Sequence, residues 1–336
     1  MVDNLHIALE AVLAGYEREQ VVVVADEQVA GTWQSIYPNT FATLTIRDAE
    51  NHKSLNGLET IWQFLFDHHI TRRGVIVCVG GGAICDLGGF AAATYLRGID
   101  YISIPTTLLS MVDAGTGGKT GINHNGIKNA IGAFHHPKAT LIYTDWLRSL
   151  PTSELLSGLG EMYKTGLLAG DSLWNEMLQY DIDQMDIERL RPLIAACIET
   201  KEHIVAQDPK ENGLRKALNL GHTFGHALEE ISGGTMRHGY AVLYGLIAEM
   251  YLSVTILGCN QEPLQQLTQI MLHYYGKPQC KCSEREQLID WMLQDKKKEH
   301  ADEINCTLLQ SIGNPVVNQV ITKEQALEAW EYLFSL

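Results

Sequence analysis

The segment Gly74-Val-Ile-Val-Cys-Val-Gly-Gly-Gly82 decides the fold class of the first half of the chain. A short apolar run rich in β-branched residues is typical of a buried parallel strand, and this run leads directly into three glycines. The residues from Ile84 to Tyr95 then follow a helical pattern. Glycines in such a turn let the backbone approach a pyrophosphate, and the helix N-terminus favours its charge. The segment therefore predicts the strand, turn and helix of a nucleotide-binding layer.

As a dinucleotide-binding motif, this turn is incomplete. Cys85 stands where the third glycine of the motif is expected, so a plain tight turn explains the glycines equally well. Asp86, just beyond, is open to two interpretations. It binds a ligand hydroxyl, or it caps the helix, which its spacing favours.

The chain divides into two regions with different patterns. Strands and helices alternate over residues 1–151, which indicates an α/β domain. From residue 152 to 336 long helical patterns dominate, so the second domain should be mostly helical. The predicted strands are 21–25, 41–46, 74–79 and 101–104, with a small hairpin at 306–309 and 315–317. The predicted helices are 54–69 and 84–95, then 154–169, 171–179, 187–207, 217–231, 238–257, 261–274, 284–297 and 323–335.

Charge and cysteine content limit the kinds of partner and compartment. The 336 residues carry a net charge of −15, from 25 basic and 40 acidic side chains. This argues against nucleic acid as a partner, and an anionic small substrate would need a local cluster of cations. No run approaches the ~20 apolar residues of a membrane helix, and the first residues lack a signal-peptide pattern. Seven cysteines, scattered without a C-x-x-C pair, predict reduced thiols in a cytoplasmic protein.

Three histidines, at positions 222, 226 and 238, form a candidate metal site. A helix points His222 and His226 to the same side, because they are four residues apart. Neutral imidazole is the commonest side-chain metal ligand, and a catalytic zinc takes three protein ligands. The chain has 13 histidines, so such a pair can also arise by chance. A glycine stands beside each of the three, however, and a glycine inside a helix costs roughly 1 kcal/mol, which favours a functional role.

The segment 105–129 is polar and rich in glycine within an otherwise apolar domain. Its lysines, Lys119 and Lys128, and its asparagines, Asn123 and Asn129, could bind a phosphate or a carboxylate. The alternative is a solvated surface loop. The density of glycines favours a special backbone path, and the glycine spacing does not fit a Walker motif.

Glu161 and Lys164 are one helical turn apart in Gly158-Leu-Gly-Glu-Met-Tyr-Lys164. Glu161 could complete a zinc site of two histidines and one carboxylate. A glutamate and a lysine three residues apart usually lie on a helix surface, where the pair stabilises the helix by about 0.2–0.5 kcal/mol. The apolar neighbours and the two glycines favour a buried, functional face here.

Taken in order, these motifs resemble those of the 3-dehydroquinate synthases, a family of sugar-phosphate cyclases, over nearly the whole chain. The residues that carry the resemblance are Gly80-Gly-Gly-Ala-Ile-Cys-Asp86-Leu, Ala91-Ala-Ala-Thr-Tyr-Leu-Arg97-Gly, Ile104-Pro-Thr-Thr-Leu-Leu, Gly117-Gly-Lys-Thr-Gly-Ile-Asn123, Lys128-Asn129-x-Ile-Gly-Ala-Phe134, Glu161-x-x-Lys164, Arg215-x-x-Leu-Asn219-Leu-Gly-His222-x-x-Gly-His226, His238-Gly and Asp295-Lys-Lys.

The resemblance implies an N-terminal NAD-binding α/β domain, a mostly α-helical C-terminal domain that binds metal and substrate, and a homodimer. It implies zinc or cobalt on Glu161, His222 and His238, whereas His226 resembles a phosphate-contacting histidine. Positions that resemble NAD contacts are Asp26, Glu50, Lys53, Gly81, Gly82, Asp86, Thr106, Thr107, Lys119 and Lys128. Positions that resemble catalytic residues are Arg97, Asp113, Lys119, Asn129, Lys164 and His226, and those that resemble substrate contacts are Lys128, Lys201, Arg215, Asn219 and one of Lys296 or Lys297.

The implied reaction converts 3-deoxy-D-arabino-heptulosonate 7-phosphate to 3-dehydroquinate and inorganic phosphate. It proceeds through transient oxidation by bound NAD, phosphate elimination, re-reduction, ring opening and intramolecular aldol closure, and in the family the residue matching Arg97 comes from the neighbouring subunit. Other interpretations are another cyclase, such as a deoxy-scyllo-inosose synthase, a metal-dependent polyol dehydrogenase, or a catalytically inactive scaffold or NAD-sensing module. Lys201 with Arg215 favours a substrate that bears a carboxylate.

The chain departs from the usual family pattern at four places. Tyr240 stands where the family usually has glutamate, Gly160 replaces an alanine, Cys85 replaces a glycine, and Ala114-Gly115 replaces a pair of serines. None of these changes removes a motif ligand or lysine. We therefore expect them to alter details around the site and not the class of protein.

Overall fold

The structure is a computed structural model that describes residues 1–37, 41–115, 117–278, 284–294 and 303–336, without the side chain of Gln294. The chain divides into two compact units, Met1–Leu150 and Pro151–Leu336.

The first unit is built on a parallel five-stranded sheet. The order of strands is β2-β1-β3-β4-β7, and every neighbouring pair is parallel. Strands β1 and β3 are buried on both faces over their apolar runs, as expected of a parallel sheet. The strands are β1 Val21–Asp26, β2 Ala42–Ile46, β3 Val75–Gly80, β4 Asp100–Pro105 and β7 Ala139–Thr140. The four strands predicted from the sequence are confirmed, and the short β7 was not predicted.

The helices of the first unit include the one predicted after the glycine turn. Asn4 caps α1 and Ser54 caps α4 through their side-chain oxygens, as these residue types favour. Helix α5 is almost entirely buried and packs on β3 and β4, so its first turn stands at the carboxyl end of β3. The helices are α1 Leu5–Leu13, α2 Glu27–Ile36, α3 Ala49–His52, α4 Leu55–Asp67 and α5 Gly82–Thr94.

A β-hairpin occupies the end of the glycine-rich segment, which the sequence pattern did not indicate. Strands β5 Lys119–His124 and β6 Ile127–Phe134 are antiparallel. They are joined at Asn125-Gly126, where both residues have positive φ, the conformation of a tight hairpin turn. The special backbone path expected from the glycine density is confirmed, because Gly117 and Gly118 have φ of 102° and 66°.

The second unit is mostly helical, as predicted, with one small hairpin. Helix α10 packs against α6, α9, α13 and β8. The helices are α6 Thr152–Ala169, α7 Asp171–Leu178, α8 Ile187–Gln207, α9 His222–Ile231, α10 His238–Leu257, α11 Glu262–Ile270, α12 Arg285–Gln294 and α13 Lys323–Ser335, and the hairpin strands are β8 Ile304–Ser311 and β9 Asn314–Ile321. Two predicted helices are divided: 217–231 begins with a 3₁₀ turn, Leu214–Asn219, and 261–274 ends in a π-helix, Met271–Tyr275.

Helix α10 contradicts the expectation that no run approaches membrane length. It has 20 residues and a mean hydropathy of 1.6 over its best window, although 67% of that window is buried inside the structure. Contact with three helices and a strand on different sides explains its composition, because a helix surrounded by protein is apolar all round. Its length and composition are therefore those of a core helix.

Candidate active site

Lys53, a predicted NAD contact, is hydrogen bonded to two other predicted positions in the first unit. Its Nζ donates to Asp86 Oδ2 at 2.6 Å and to Asn129 Oδ1 at 2.5 Å, and it is only 6% exposed. We call Lys53, Asp86 and Asn129 the Lys53 cluster. Burial, partly offset by Lys53, raises the pKa of Asp86.

The capping interpretation of Asp86 is wrong. The cap position of α5 is Gly81, and Asp86 lies inside the helix, where it faces Lys53. The spacing suggested capping because the sequence does not show that the helix begins at Gly82, directly after the strand.

Asn123 attaches the hairpin to α3 beside this cluster. Its Nδ2 donates to Glu50 Oε1 at 3.0 Å, its backbone N–H donates to the Lys53 carbonyl at 2.8 Å, and its Oδ1 accepts the N–H of Asn129 at 2.9 Å. These bonds hold Asn129 at a φ of 50°, which only a few residue types adopt readily. Glu50, Lys53, Asp86 and Asn129 are thus brought together by tertiary contacts.

Of the remaining predicted positions in the first unit, five lie at or just after the carboxyl ends of strands: Asp26, Gly81, Gly82, Thr106 and Thr107. Thr106 donates its N–H to the Gly80 carbonyl at 2.9 Å, and a Cβ on Gly81 would lie 3.3 Å from Thr107, so the glycine turn and the end of β4 are adjacent. Asp26 caps α2 by accepting from Gln28 N–H. Asp113 lies in the π-helix Ser110–Ala114, and Gly82 begins α5. In the hairpin, Lys119 begins β5 and Lys128 is exposed on β6. Arg97 has a φ of 72°.

In the second unit, Glu161, His222 and His238 converge on one point. We call these three residues the donor triad. One ligand atom from each lies within 4.8 Å of the others. Glu161 Oε1 is 3.0 Å from His238 Nε2 and 3.4 Å from His222 Nε2. Two imidazole nitrogens and one carboxylate oxygen therefore face a common position, as a site for a dication requires.

The other ring nitrogen of each histidine is held by an acceptor. His222 Nδ1 lies 3.1 Å from the Leu220 carbonyl, and His238 Nδ1 lies 3.3 Å from Glu229 Oε2. Because a carbonyl or carboxylate oxygen can only accept, Nδ1 of each ring carries a proton, so a dication could replace a proton on Nε2 while Nδ1 keeps its own. This arrangement of outer acceptors is typical of metal-bound histidines.

The charges around Glu161 suit a metal ligand. Burial by itself raises its pKa, but Lys164 and the two histidines outweigh burial and hold the pKa well below its usual value. For His238, burial opposes the charged ring, but hydrogen bonds with Glu161 and Glu229 outweigh it and raise the pKa to about 10. The position between the three side chains therefore favours positive charge, which a dication supplies in place of a proton.

Close helix crossings bring the donor triad together. A Cβ on Gly160 would lie 2.1 Å from the Gly239 carbonyl oxygen, and a Cβ on Gly239 would lie 1.7 Å from the carbonyl oxygen of Ser157. Glu161 follows the first of these glycines, and His238 precedes the second. The backbones of α6 and α10 thus touch where their ligands meet, which explains why a glycine stands at position 160.

Buried cations accompany the triad in the same unit. Lys164 Nζ is 2.5 Å from Glu161 Oε2, and Lys164, Lys201 and Arg215 are 1%, 6% and 2% exposed. This burial rejects the surface-pair interpretation of Glu161 and Lys164. Arg215 donates to the Pro209 carbonyl at 2.8 Å, and Asn219 donates to Glu211 Oε1 at 3.1 Å.

His226 is half-buried, and its ring centroid is 5.3 Å from that of His222. Lys296 and Lys297 lie outside the described residues. Sequence reasoning missed Glu229, although it lies on the same face of α9 as His222, seven residues later, and this spacing could have indicated it.

Comparison with known proteins agrees with this geometry. The family model for the 3-dehydroquinate synthase N-terminal region matches residues 43–157, and that for the C-terminal region matches residues 158–298. A 3-dehydroquinate synthase of Parabacteroides distasonis is 42% identical over 86% of this chain and 82% of its own length. One from Staphylococcus aureus is 36% identical over 94% of this chain and 91% of its own length.

Solved structures with the same fold include a 2-deoxy-scyllo-inosose synthase complexed with carbaglucose-6-phosphate, NAD⁺ and Co²⁺. Its TM-score is 0.84 at 21% identity, over 96% of this chain and 93% of that one. A 2-epi-5-epi-valiolone synthase from Streptomyces hygroscopicus with NAD⁺ and Zn²⁺ bound has a TM-score of 0.78 at 23% identity, over 94% and 91%. At these identities the structures establish the fold, while the family models together match residues 43–298 and the two relatives cover 86% and 94% of this chain. The chain therefore belongs to the 3-dehydroquinate synthase family.

Proposed function

We propose that this chain converts 3-deoxy-D-arabino-heptulosonate 7-phosphate to 3-dehydroquinate and inorganic phosphate, with bound NAD and a zinc or cobalt ion. The observation that carries the proposal is the donor triad, whose three ligand atoms lie within 4.8 Å of one another beside buried cations. Family membership supports the reaction, and the residues present fit both cofactors.

The metal would be held by Glu161, His222 and His238, each of which directs one ligand atom to the same position. NAD would lie at the glycine turn. The N-cap residue of α5 is Gly81, which has no side chain to bond the first N–H groups of the helix, so these could donate to a pyrophosphate. When bound, NAD accepts and returns a hydride, and the dication polarises a substrate hydroxyl.

The side chains of this chain bind and orient the substrate. Lys164, Lys201 and Arg215 are buried on three elements that pack against one another, α6, α8 and the 3₁₀ turn Leu214–Asn219. In a chain of net charge −15 they would supply the local cations that an anionic substrate needs. We assign the substrate carboxylate to Lys201 and Arg215, because a guanidinium fork matches a carboxylate. His226 and Asn219 donate to the phosphate, which keeps the substrate in place through successive steps.

The proposal assigns the first unit a complementary set of contacts. Asp26, Glu50, Lys53, Asp86, Thr106 and Thr107 would contact NAD, and Asp113, Lys119, Lys128 and Asn129 would contact NAD or substrate. One of Lys296 or Lys297, which lie outside the described residues, would complete the substrate contacts. The assignment is supported by the hydrogen bonds that already group Glu50, Lys53, Asp86 and Asn129.

The active form would be a cytoplasmic homodimer in which Arg97 reaches the neighbouring site. Leu96 and Arg97 both have positive φ, 49° and 72°. Such a conformation costs about 1–3 kcal/mol for a residue with a side chain and is common at functional sites. The described cysteines Cys78, Cys85, Cys197, Cys259 and Cys306 are free, which supports a reducing compartment.

The test combines pure protein, NAD, zinc and the heptulosonate phosphate, with assays of inorganic phosphate and dehydroquinate. We expect both products in equal amounts and no accumulation of NADH absorbance, because a cyclase regenerates NAD in each turnover. Accumulating NADH without phosphate release would instead indicate a polyol dehydrogenase, and phosphate release without dehydroquinate would indicate another cyclase.

A further inference from the structure

Glu249 is a fully buried carboxylate that the proposed reaction does not use. It is 0% exposed and lies in the middle of α10, and no other Asp, Glu, Lys or Arg occurs within that helix. A carboxylate is rarely buried unless it is hydrogen bonded, because leaving water is costly. A carboxylate buried in an apolar helix therefore needs a hydrogen-bond donor, and the identity of that donor indicates its role.

One partner of Glu249 is the backbone of Gly221. Glu249 Oε2 accepts the Gly221 N–H at 2.6 Å. Gly221 is the N-cap residue of α9, has a φ of 80°, and directly precedes the ligand His222. A helix can hold its own N-cap N–H with an acidic side chain at the third helical position. Here that position is Phe224, so the acceptor comes from another helix.

Gly245 allows α10 to approach the carbonyl of the same residue, Gly221. It lies one turn before Glu249 on α10, on the same face, and a Cβ there would lie 1.9 Å from the Gly221 carbonyl oxygen. Gly245 thus admits the carbonyl side of Gly221 while Glu249 holds its N–H. Helix α10 therefore binds the N–H of Gly221 and packs closely against its carbonyl, at the point where α9 begins.

We infer that Glu249 is a positioning residue for the metal centre, acting through Gly221 to hold His222 toward Glu161 and His238. The inference rests on the proposed function, because it assigns a metal to the donor triad. It differs from the role of a residue that only stabilises the fold, since the residue it holds is adjacent to a ligand. The same helix supplies His238, so α10 would carry one ligand directly and position a second.

The matched control is Ser253, one turn further along the same helix. Ser253 is also 0% exposed, and its Oγ accepts the N–H of Leu309 at 2.9 Å. Glu249→Leu and Ser253→Ala each deprive one buried backbone N–H of its acceptor, and Ser253→Ala also removes the bond from its Oγ to the Glu249 carbonyl at 2.7 Å. Only the N–H held by Glu249 adjoins a metal ligand. Glu249→Gln retains an oxygen acceptor and serves as the conservative rescue.

The experiment measures zinc affinity by competition with a chelator, the visible spectrum of the cobalt-loaded protein, and the melting temperature. We expect Glu249→Leu to weaken zinc binding by roughly tenfold or more and to change the cobalt spectrum. Ser253→Ala should lower the melting temperature without either effect, and Glu249→Gln should approach the wild type. Wild-type affinity and spectrum in a folded Glu249→Leu protein would overturn the inference.

If the leucine variant does not fold, Glu249→Asp replaces it, because it keeps the carboxylate and withdraws it by one methylene. Weaker zinc binding with an altered cobalt spectrum supports the inference, and unchanged values overturn it. Failure of the wild-type chain to bind zinc would instead count against the proposed function, so the two failures are distinguishable.

Discussion

The Lys53 cluster of the first unit and the donor triad of the second are assembled by different forces. The cluster is held by charge: a buried ammonium lies between a carboxylate and an amide oxygen. The triad is held largely by shape, because glycines let helix backbones touch beside the ligands. The comparison indicates that the first site should be sensitive to loss of a charge and the second to an added methyl group.

The largest expected effect removes a ligand from the triad. His222→Ala should abolish metal binding and activity, a loss beyond the roughly 10–100-fold that follows when only an orienting neighbour is removed. Zinc content after dialysis, together with the phosphate-release assay, measures both. Near-normal zinc content with full turnover would refute the ligand assignment.

The charge side of the comparison is tested at Lys53. Lys53→Met leaves the Asp86 carboxylate without its cation and should lower the free energy of unfolding by roughly 3 kcal/mol, the low end for a broken buried ion pair, because the Asp86 side chain keeps 18% exposure. NAD binding should weaken and zinc affinity should not change. The control is Arg47→Met, which breaks an exposed pair with Glu27 and should cost less than about 1 kcal/mol.

The pH dependence of that variant has a definite sign. Burial raises the pKa of Asp86 and Lys53 opposes the increase, so removing Lys53 should raise it further. When folding raises the pKa of a carboxyl, the folded protein becomes less stable as the pH rises from the ordinary aspartate range toward the raised pKa. The loss of unfolding free energy in Lys53→Met relative to wild type should therefore shrink as the pH falls. Denaturant unfolding at several pH values measures this loss, and a loss that grows as the pH falls would contradict the prediction.

The shape side is tested at Gly160. A Cβ there would lie 2.1 Å from a backbone oxygen of Gly239, which cannot move like a flexible side chain, so Gly160→Ala should cost roughly 1–3 kcal/mol and weaken zinc binding. Gly31→Ala is the control, since a Cβ at that helical glycine meets nothing within 4 Å and should add up to about 1 kcal/mol of stability. Unchanged zinc affinity in Gly160→Ala would show that this crossing does not set the ligand distance.

The same contrast explains what could be predicted from the sequence. The strands β1 to β4 and the helices of the second unit follow from hydrophobic periodicity, and the resemblance supplied the members of the triad. Spacing alone would have made His226 a ligand, because the distance from α9 to Glu161 and His238 depends on helix crossings. The contact of Lys53 with Asn129 spans 76 positions, and no local pattern encodes it. Glu249 was equally hidden, since its partner is a backbone N–H in another helix.

The smallest expected effect asks how much the triad still depends on charge. Glu229 is 4% exposed, and its Oε2 lies 3.3 Å from His238 Nδ1, so Glu229→Gln replaces a charged acceptor by a neutral one without changing the shape. We expect zinc affinity to fall roughly tenfold, about 1.4 kcal/mol. Glu230→Gln, the adjacent residue, should leave zinc affinity unchanged. An equal loss in both variants would mean that net charge acts at long range, whereas a loss confined to Glu229→Gln would mean that shape places the ligands and one carboxylate adjusts how strongly His238 binds.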